Sequence, residues 1–281
     1  MPAVLVTGAS TGIGEACAVH LHGLGHTVFA GVRRDADAER LQTRLGDRLV
    51  PVMLDVTDQG QIDAAAATVA DATGSMRLAG VVNNAGIGIG GPVEELPLDH
   101  WRHQFEVNVI GQVAVTKAVI PMLRAGAGRI VFIGSISGRI ATPMMAPYSA
   151  SKHAIEAIGE ALRHELADWD IKVAVVEPGA IRTPIWEKGR ARADDLDSFV
   201  SPEGRERYAR FIDLVRRAID AQERNGADPA IVARAVEHAL FSPRPKDRYP
   251  VGTDAKVQAL ASRVLPDKVR DRAVRAMADR I

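Results

Sequence analysis

Three side chains in one part of the sequence could together move a proton: Ser135, Tyr148 and Lys152. Tyr148 and Lys152 are four residues apart, so they share one helix face if residues 148–168 form a helix, as their pattern predicts. A phenol keeps its proton up to about pH 10, and a nearby ammonium group lowers that value. Such a tyrosine can exchange a proton with an oxygen on carbon, which Ser135 could hold in place. Taken alone, a Tyr-x-x-x-Lys pair is more often part of a solvated helix face.

Composition limits the classes of partner and compartment. The chain has 281 residues with 35 basic and 35 acidic side chains, and this balance argues against nucleic acid as the main partner. There is one cysteine, Cys17, no charged leader before the first strand and no apolar stretch of about 18 residues. We therefore expect a cytoplasmic protein without an integral membrane segment. The eight histidines show no metal-ligand spacing, so we predict no catalytic metal.

A glycine-rich turn follows the first apolar run. Residues 3–7 read as a buried strand, and a helix is predicted from about Ile13 to Gly23. The turn between them is T-G-A-S-T-G-I-G, with the spacing G-x-x-x-G-x-G. Glycines at such a junction let the backbone approach a pyrophosphate, and the helix N-terminus offers amide donors. The pattern predicts a dinucleotide-binding turn.

The end of the second predicted strand, residues 27–32, bears on which dinucleotide is bound. An acidic side chain there binds the ribose hydroxyls of NAD, whereas an arginine accepts the 2′-phosphate of NADP. The strand is followed by Arg33 and Arg34, with no carboxylate before Asp35. NADP(H) is therefore favoured over NAD(H). The alternative is that both arginines merely solvate a loop.

Further polar residues follow the third and fourth predicted strands, residues 49–54 and 79–82. Asp55 could accept a hydrogen bond from an adenine amino group, or it could cap the helix that starts near Asp58. Asn83 and the asparagine after it could bond neighbouring backbone and hold adjoining strands in register.

Strands and helices alternate through residue 176 with short connections. This alternation predicts an α/β fold, a Rossmann-type doubly wound parallel sheet of about seven strands flanked by helices, in a single domain over residues 1–281. A long helix over residues 99–123 contains Asn108, whose polar side chain needs a partner if it faces the sheet. In such folds ligands bind beyond the carboxyl ends of the strands. The glycine turn and the tyrosine motif then meet at one edge.

In these motifs the sequence resembles the short-chain dehydrogenase/reductase family from residue 3 to about residue 183. The glycine turn resembles its cofactor loop, and N-N-A-G is similar to its sheet-stabilising motif. The resemblance implies a catalytic set of Asn108, Ser135, Tyr148 and Lys152, with Tyr148 exchanging a proton with the substrate and Lys152 lowering its pKa. It implies that Pro178, Gly179 and Thr183 bind nicotinamide. Together with the patterns above, the predicted cofactor contacts are Gly8, Ser10, Thr11, Gly12, Ile13, Gly14, Arg33, Arg34, Asp55, Val56, Asn84, Ala85, Gly86, Tyr148, Lys152, Pro178, Gly179, Ile181 and Thr183.

Other segments resemble the hydroxysteroid and retinol dehydrogenase group, among them G-S-I-S-G and R-Y-P-V-G-T-D-A-K. This implies a small hydrophobic alcohol or carbonyl substrate. Residues 184–227 mix aromatic and charged side chains and fit either a lid over an apolar pocket or an ordinary surface helix pair. Residues 254–281 read as a C-terminal extension of one or two amphipathic helices.

The resemblance also implies a homodimer or homotetramer that pairs through the two long helices. Two other classes are open. A cofactor-binding sensor without catalysis could use the same fold, although it would have no need of the intact proton-transfer set. Sugar epimerisation on a related fold is a third possibility, for which the chain is short and its glycine turn atypical.

Overall fold

The computed structural model describes residues 2–74, 78–184 and 198–279. Within them, the strands are β1 (Ala3–Val6), β2 (Thr27–Val32), β3 (Leu49–Met53), β4 (Gly80–Asn83), β5 (Arg129–Ile133), β6 (Lys172–Pro178) and β7 (Arg248–Val251), and most of these are short runs rich in β-branched residues. Between and after the strands lie the helices α1 (Gly12–Gly23), α2 (Asp35–Leu45), α3 (Gln59–Thr73), α4 (Leu98–Phe105), α5 (Gly111–Gly126), α6 (Ala146–Glu165), α7 (Pro202–Asn225), α8 (Ala230–Phe241), α9 (Thr253–Val264) and α10 (Asp267–Asp279).

The seven described strands form one parallel sheet in the order β3-β2-β1-β4-β5-β6-β7. Helices cover both faces, because parallel strands need crossover connections that pack on the sheet. The predicted α/β doubly wound fold is thereby confirmed. The strand order reverses between β1 and β4, and at this switch point a crevice opens at the carboxyl ends of the strands.

Two hydrophobic cores lie on opposite faces of the sheet. One core packs α1 and α8 against the sheet through Leu21 and Val236, and the other packs α3, α5 and α6 through residues such as Val69, Val119 and Ile155. Cys17 lies in the first core, where burial raises the pKa of its thiol to about 12. This cysteine is a packing residue.

The helix predicted over residues 99–123 extends over Leu98–Gly126 and is interrupted by a π-helical turn, Glu106–Ile110. This helix is long and apolar enough by length and composition to cross a membrane, which differs from the expectation that no stretch qualifies. Its apolar character has a local cause, since 56% of that apolar stretch is buried within the fold. A single such core helix is weak evidence for a membrane span.

β7 was not predicted from the sequence as a strand. It is short, contains Pro250 and pairs with β6 alone among the described strands. Proline lacks the amide proton that the interior of a central strand must donate, so it is confined to edge strands and to strand ends. The β-branched pattern that marks the central strands is missing from Arg248–Val251, and the long-range pairing with β6 decides its conformation.

The structure describes only part of the segments predicted to form the substrate lid and the C-terminal extension. Residues 185–197, which include the Trp186, Glu187, Lys188, Arg190 and Arg192 of the predicted lid, lie outside the described residues. The remainder of that segment forms α7, and the predicted C-terminal extension forms α9 and α10. α9 packs its Ala255 and Ala259 against Ile136, so this helix lies beside the 3₁₀ turn that follows β5.

Candidate active site

The glycine turn between β1 and α1 has a backbone that other residues would strain. Gly8 and Gly12 both have φ of 62°, in the left-handed region that favours glycine. A Cβ atom at Gly14 would collide with the Gly8 carbonyl oxygen and the Asn84 side chain. Thr11 precedes α1 without forming a side-chain capping hydrogen bond. The first amides of α1 are therefore available to an anionic ligand, as the predicted phosphate site requires.

Asn84 fastens this turn to the end of β4. Its Nδ2 donates to the Thr7 and Gly8 carbonyl oxygens at 2.9 and 3.1 Å, and Thr7 Oγ1 accepts from the Asn84 and Ala85 amides. Of the two asparagines predicted to support this region, only Asn84 bonds the turn, because successive strand residues point to opposite faces. Asn83 is buried and donates to Thr116 Oγ1 of α5 instead.

Asn108 lies in the π-helical turn, fully buried. Its amide group exchanges two hydrogen bonds with the backbone of Ile87, at 2.8 and 3.0 Å. It also donates to Ser151 Oγ at 3.2 Å, and Ser151 in turn donates to the Tyr148 carbonyl oxygen at 2.7 Å. Asn108 thus joins the loop after β4 to the start of α6. The Asn108 side chain therefore has the hydrogen-bond partners that its buried position requires. Its hydrogen bond with Ser151 was not predicted from the sequence.

Two further amides on the same helix repeat this pattern and were missed by sequence analysis. Gln104 accepts from the Ile89 amide at 2.7 Å and donates to the Ile87 carbonyl oxygen, and Gln112 donates to the Ala85 carbonyl oxygen at 2.9 Å. Both glutamines are fully buried. The sequence contains a signal for these contacts, because the two amide side chains lie four residues before and four residues after Asn108 on an otherwise apolar helix face. Together the three amides hold residues 85–89 in an extended path beside the crevice.

Ser135 and Tyr148 meet at the carboxyl end of β5. Ser135 is buried directly after the strand and caps a short 3₁₀ turn, Ile136–Gly138, by accepting from the Ser137 amide. Tyr148 lies in the first turn of α6, where burial raises the pKa of its phenol and a hydrogen bond with Ser135 lowers it. The net direction is upward.

Lys152 lies one turn after Tyr148, as predicted, with its Nζ 5.7 Å from the centre of the tyrosine ring. The ammonium group donates to the Ile133 carbonyl oxygen at 2.7 Å. Burial lowers the pKa of Lys152 to about 8, and Glu156 acts in the opposite direction. The net shift of the Tyr148 pKa is upward, opposite to the direction expected from the sequence. Desolvation of the phenol dominates its pKa, and the hydrogen bond with Ser135 acts in the opposite direction.

The arginines after β2 are already paired with carboxylates to different degrees. Arg33 extends into solvent with 65% of its side chain exposed, and its Nη1 lies 3.8 Å from Asp55 Oδ2. Arg34 is bonded to Asp37 at 2.8 Å. Arg40 of α2, which sequence analysis did not single out, donates to the Ser10 carbonyl oxygen of the glycine turn. Arg33 is therefore the predicted phosphate ligand with the weakest existing partner.

The alternative role of Asp55 as a helix cap is wrong. Asp58 caps α3 through the Gln61 amide, whereas Asp55 accepts from the backbone and hydroxyl of Thr57. Burial would raise the pKa of Asp55, but these hydrogen bonds and the charge of Arg33 bring it below its usual value. Val56 is buried beside it.

The segment after β6 returns to the glycine turn. Gly179 donates to the Val251 carbonyl oxygen, and Asp254 of α9 accepts from the Ala180 amide at 2.8 Å. Ile181 is buried, and a Cβ atom at Gly12 would lie 3.2 Å from the Thr183 side chain. The predicted nicotinamide segment, which begins at Pro178, and the predicted phosphate turn therefore lie side by side.

An apolar cluster lies between the loop that precedes α6 and the start of α7. We call it the lid cluster; its members are Met144, Phe199, Val200, Tyr208, Phe211, Ile212 and Val215. Glu95 holds the start of α7 by accepting from the amide and hydroxyl of Ser201. Met144 has a positive φ of 66°, rare for a side chain of this kind, and accepts from the Gly91 amide. Met145 lies next to it, close to Gly90.

Comparison with known proteins agrees with this arrangement. The sequence model of the short chain dehydrogenase family matches residues 2–194. The chain is 32% identical over 276 residues to an NADPH-dependent 3-dehydrocapnine reductase of Ornithobacterium rhinotracheale, covering 95% of this chain and 94% of that protein. It is 34% identical over 268 residues to human retinol dehydrogenase 16, covering 94% of this chain and 84% of that protein.

Solved structures give the same family. A short-chain dehydrogenase from Streptomyces avermitilis superposes with a TM-score of 0.79 at 32% identity, over 96% of this chain and 94% of that one. A short chain dehydrogenase from Burkholderia cenocepacia in complex with NADP has a TM-score of 0.75 at 27% identity, over 96% of each chain. One from Burkholderia phymatum in complex with NAD has 0.75 at 25% identity, over 88% of each. The chain belongs to the short-chain dehydrogenase family of NAD(P)-dependent oxidoreductases, which act on alcohol and carbonyl groups.

Proposed function

We propose that the protein transfers hydride between NADP(H) and a small apolar alcohol or carbonyl compound, with Tyr148 as the general acid and base. The observation that carries the proposal is the meeting of Ser135, Tyr148 and Lys152 at the carboxyl end of β5, on the same edge of the parallel sheet as the glycine turn. A spacing pattern alone would not separate an active site from a solvated helix face. Ser135 and Lys152 are buried and Tyr148 is half-buried, which favours chemistry over a solvated helix face.

The residues around the crevice fit a dinucleotide. Amides at the start of α1 face a turn that a larger residue at position 14 would close, and this is the environment that a pyrophosphate requires. Arg33 is exposed and only weakly paired, which supports its proposed role as the 2′-phosphate ligand. Thr183 borders the turn at Gly12, which supports the proposed role of residues 178–183 at the nicotinamide end. When bound, the nicotinamide supplies or accepts the hydride.

The protein's own groups handle the proton. Ser135 donates a hydrogen bond to the substrate oxygen and fixes its position against the Tyr148 hydroxyl. Because its pKa is raised, Tyr148 is protonated at neutral pH and can give its proton to a carbonyl oxygen as the alcohol forms. Lys152 places a positive charge beside the phenol and stabilises the phenolate that remains.

The apolar character of the substrate is supported by the lid cluster. Met144 precedes Tyr148 on the chain by four residues, and its cluster partners on α7 present aromatic and aliphatic surface. The relatives named above are enzymes of 3-dehydrocapnine and retinol, both by name acting on a carbonyl or alcohol group. We expect a steroid-like, retinoid-like or other apolar ketone, aldehyde or alcohol.

This proposal is tested by following NADPH absorbance with a panel of ketones and aldehydes that differ only in apolar length. We expect kcat/KM to rise with each added methylene by a factor of about 4, until the pocket is filled. A sensor that binds NADPH but has no catalytic role would show saturable cofactor binding and no turnover with any of the compounds. That result would favour the non-catalytic alternative.

Cofactor choice is tested by Arg33→Ala. The substitution removes a charge-assisted contact to the 2′-phosphate, which contributes about 1.5–3 kcal/mol, so NADPH affinity should fall by about 10- to 100-fold while NADH affinity changes little. Arg34→Ala is the matched control, because Arg34 is bonded to Asp37 and its loss should have a smaller effect. Titration calorimetry with both cofactors measures the difference. An equal loss of affinity for NADH and NADPH in Arg33→Ala would contradict the assignment.

Two further expectations belong to the same proposal. We propose that two copies pair through the Leu98–Gly126 helix and α6, where Ile110 presents an exposed apolar side chain, and that the protein works in the cytoplasm. Sedimentation of the purified protein checks whether two copies pair.

The part of the chain that the structure describes contains no group of three His, Cys, Asp or Glu side chains placed to hold a metal.

A further inference from the structure

Two buried carboxyl groups lie beneath the candidate site and have no part in the proposed mechanism. Glu156 is one helical turn beyond Lys152 on α6 and is 8% exposed. Glu177 is at the end of β6, directly before Pro178, and is 0% exposed. Ionised carboxylates are rarely buried without compensation, because removing them from water is costly. This pair therefore needs an explanation.

Each carboxyl group is held by one arginine. Arg139, which follows the 3₁₀ turn capped by Ser135, bonds Glu177 through two atoms, Nε to Oε1 at 2.6 Å and Nη2 to Oε2 at 3.0 Å. Arg248 of β7 donates through Nε to Glu156 Oε2 at 2.8 Å, and its Nη2 donates to the more exposed Glu160. The pair thus connects the Ser135 turn, the Tyr148 helix and the segment that begins at Pro178.

One oxygen of the pair lacks a donor. Glu156 Oε1 is buried and has no hydrogen-bond donor among the described residues. Glu177 is within hydrogen-bonding reach of Glu156, but two carboxylates can bond each other only when one of them carries a proton. Burial and the charge of Glu156 both raise the pKa of Glu177, although Arg139 opposes them. A single proton between the two groups satisfies the geometry and removes one of two adjacent buried charges.

The pair acts on Lys152 through its remaining negative charge. Burial drives the Lys152 ammonium towards its neutral form, and Glu156 is the charge that opposes this. The charged and titratable groups that face this region are Tyr148, Lys152 and Glu160 on α6, Arg139 after the 3₁₀ turn, Glu177 on β6 and Arg248 on β7. Among these, Glu156 alone combines a negative charge, burial and a position one turn from Lys152.

We propose that the Glu156–Glu177 pair shares one proton and, through the charge left on Glu156, keeps Lys152 protonated beside Tyr148, so that Glu156 is a positioning residue for the reaction. The role in catalysis rests on the proposed function above. The electrostatic role does not, and it can be measured without substrate or cofactor.

The direct test is the pH titration of Lys152 by ¹³C nuclear magnetic resonance. The chain has seven lysines, and the Lys152 Cε signal is assigned by its absence from Lys152→Arg. In the unaltered protein we expect a midpoint near pH 8, in accord with the lowered pKa. Glu156→Gln should lower this midpoint by about one pH unit, because an opposite charge one turn away has been removed.

Glu160→Gln is the matched control. It removes a carboxylate from the next turn of the same helix and from the same arginine, but 56% of the Glu160 side chain is exposed and solvent screens its charge. Its Lys152 midpoint should equal that of the unaltered protein. If Glu156→Gln and Glu160→Gln give the same midpoint as the unaltered protein, the proposal is overturned.

Glu177→Gln should not lower the Lys152 midpoint, in contrast to Glu156→Gln, and it serves as the test if Glu156→Gln does not fold. The glutamine amide can donate to Glu156, which then carries a full negative charge, so the Lys152 midpoint should stay or rise. A fall of this midpoint would refute the shared proton. In the activity assay, the pH at which kcat/KM falls on the alkaline side should be lower in Glu156→Gln, by the same amount as the Lys152 midpoint. In Glu156→Asp this pH should return to the value of the unaltered protein. A loss of fold alone would lower activity without moving that limb.

Discussion

Tyr148→Phe is expected to lower kcat by about 10²- to 10⁴-fold with any true substrate, because the proton donor and acceptor at the reacting oxygen is removed. The ring stays in place and only the hydroxyl is lost, so packing of α6 on β5 should be preserved. NADPH affinity should remain within about twofold of the unaltered protein, since the hydroxyl bonds Ser135 and not the glycine turn. Single-turnover kinetics and titration calorimetry measure the two quantities separately.

Tyr249→Phe is the control for this substitution. Tyr249 is buried, and its hydroxyl also has hydrogen-bond partners, His238 Nδ1 and the Lys246 amide, but these partners belong to α8 and the loop before β7. We expect a small loss of stability and an unchanged kcat. If Tyr148→Phe turned over substrate at the rate of Tyr249→Phe, the acid and base assignment would be wrong.

Gly14→Ala is expected to have the second largest effect, on cofactor binding. The new methyl group would overlap the Gly8 carbonyl oxygen and the Asn84 amide, so the turn must move away from both. Displacement of a binding backbone by about 1 Å costs on the order of 100-fold, and we expect NADPH affinity to fall by at least that factor. The thermal midpoint of the unliganded protein should fall as well, because Asn84 loses its bonds to the turn.

Gly23→Ala tests whether this effect is local to the turn. Gly23 ends the same helix, and a Cβ atom there meets nothing within 4 Å. Alanine is the better helix former, so the thermal midpoint should stay or rise slightly and NADPH affinity should not change. Equal NADPH affinities in Gly14→Ala and Gly23→Ala would show that the turn does not bind the dinucleotide.

Local patterns were sufficient for the central sheet. β1 and β2 are short β-branched runs between glycine-rich or charged turns, and their bounds follow from composition because both faces of a parallel strand are buried. β7 is different, because Pro250 and the charged residues Asp247 and Arg248 leave it without a β-branched strand pattern. Only its pairing with β6 makes it a strand. The edge of a sheet depends on long-range contacts that one segment of sequence does not contain.

The same limit applies within the candidate site. Positions 135, 148 and 152 were predicted from spacing, and the structure brings them together. The bonds of Gln104 and Gln112 to the loop after β4 were missed, as was the pairing of Glu156 with Glu177, because each joins segments distant in sequence. The direction of the Tyr148 pKa was predicted wrongly for a related reason, since sequence shows the neighbouring charge and not the depth of burial.

The measurement that tests the central claim most directly is a crystal structure of the protein with NADP⁺. We predict the pyrophosphate at the start of α1, the 2′-phosphate at Arg33, and the nicotinamide between Tyr148 and the segment that begins at Pro178. Density for the dinucleotide elsewhere, or a nicotinamide out of contact with Tyr148, would contradict the account.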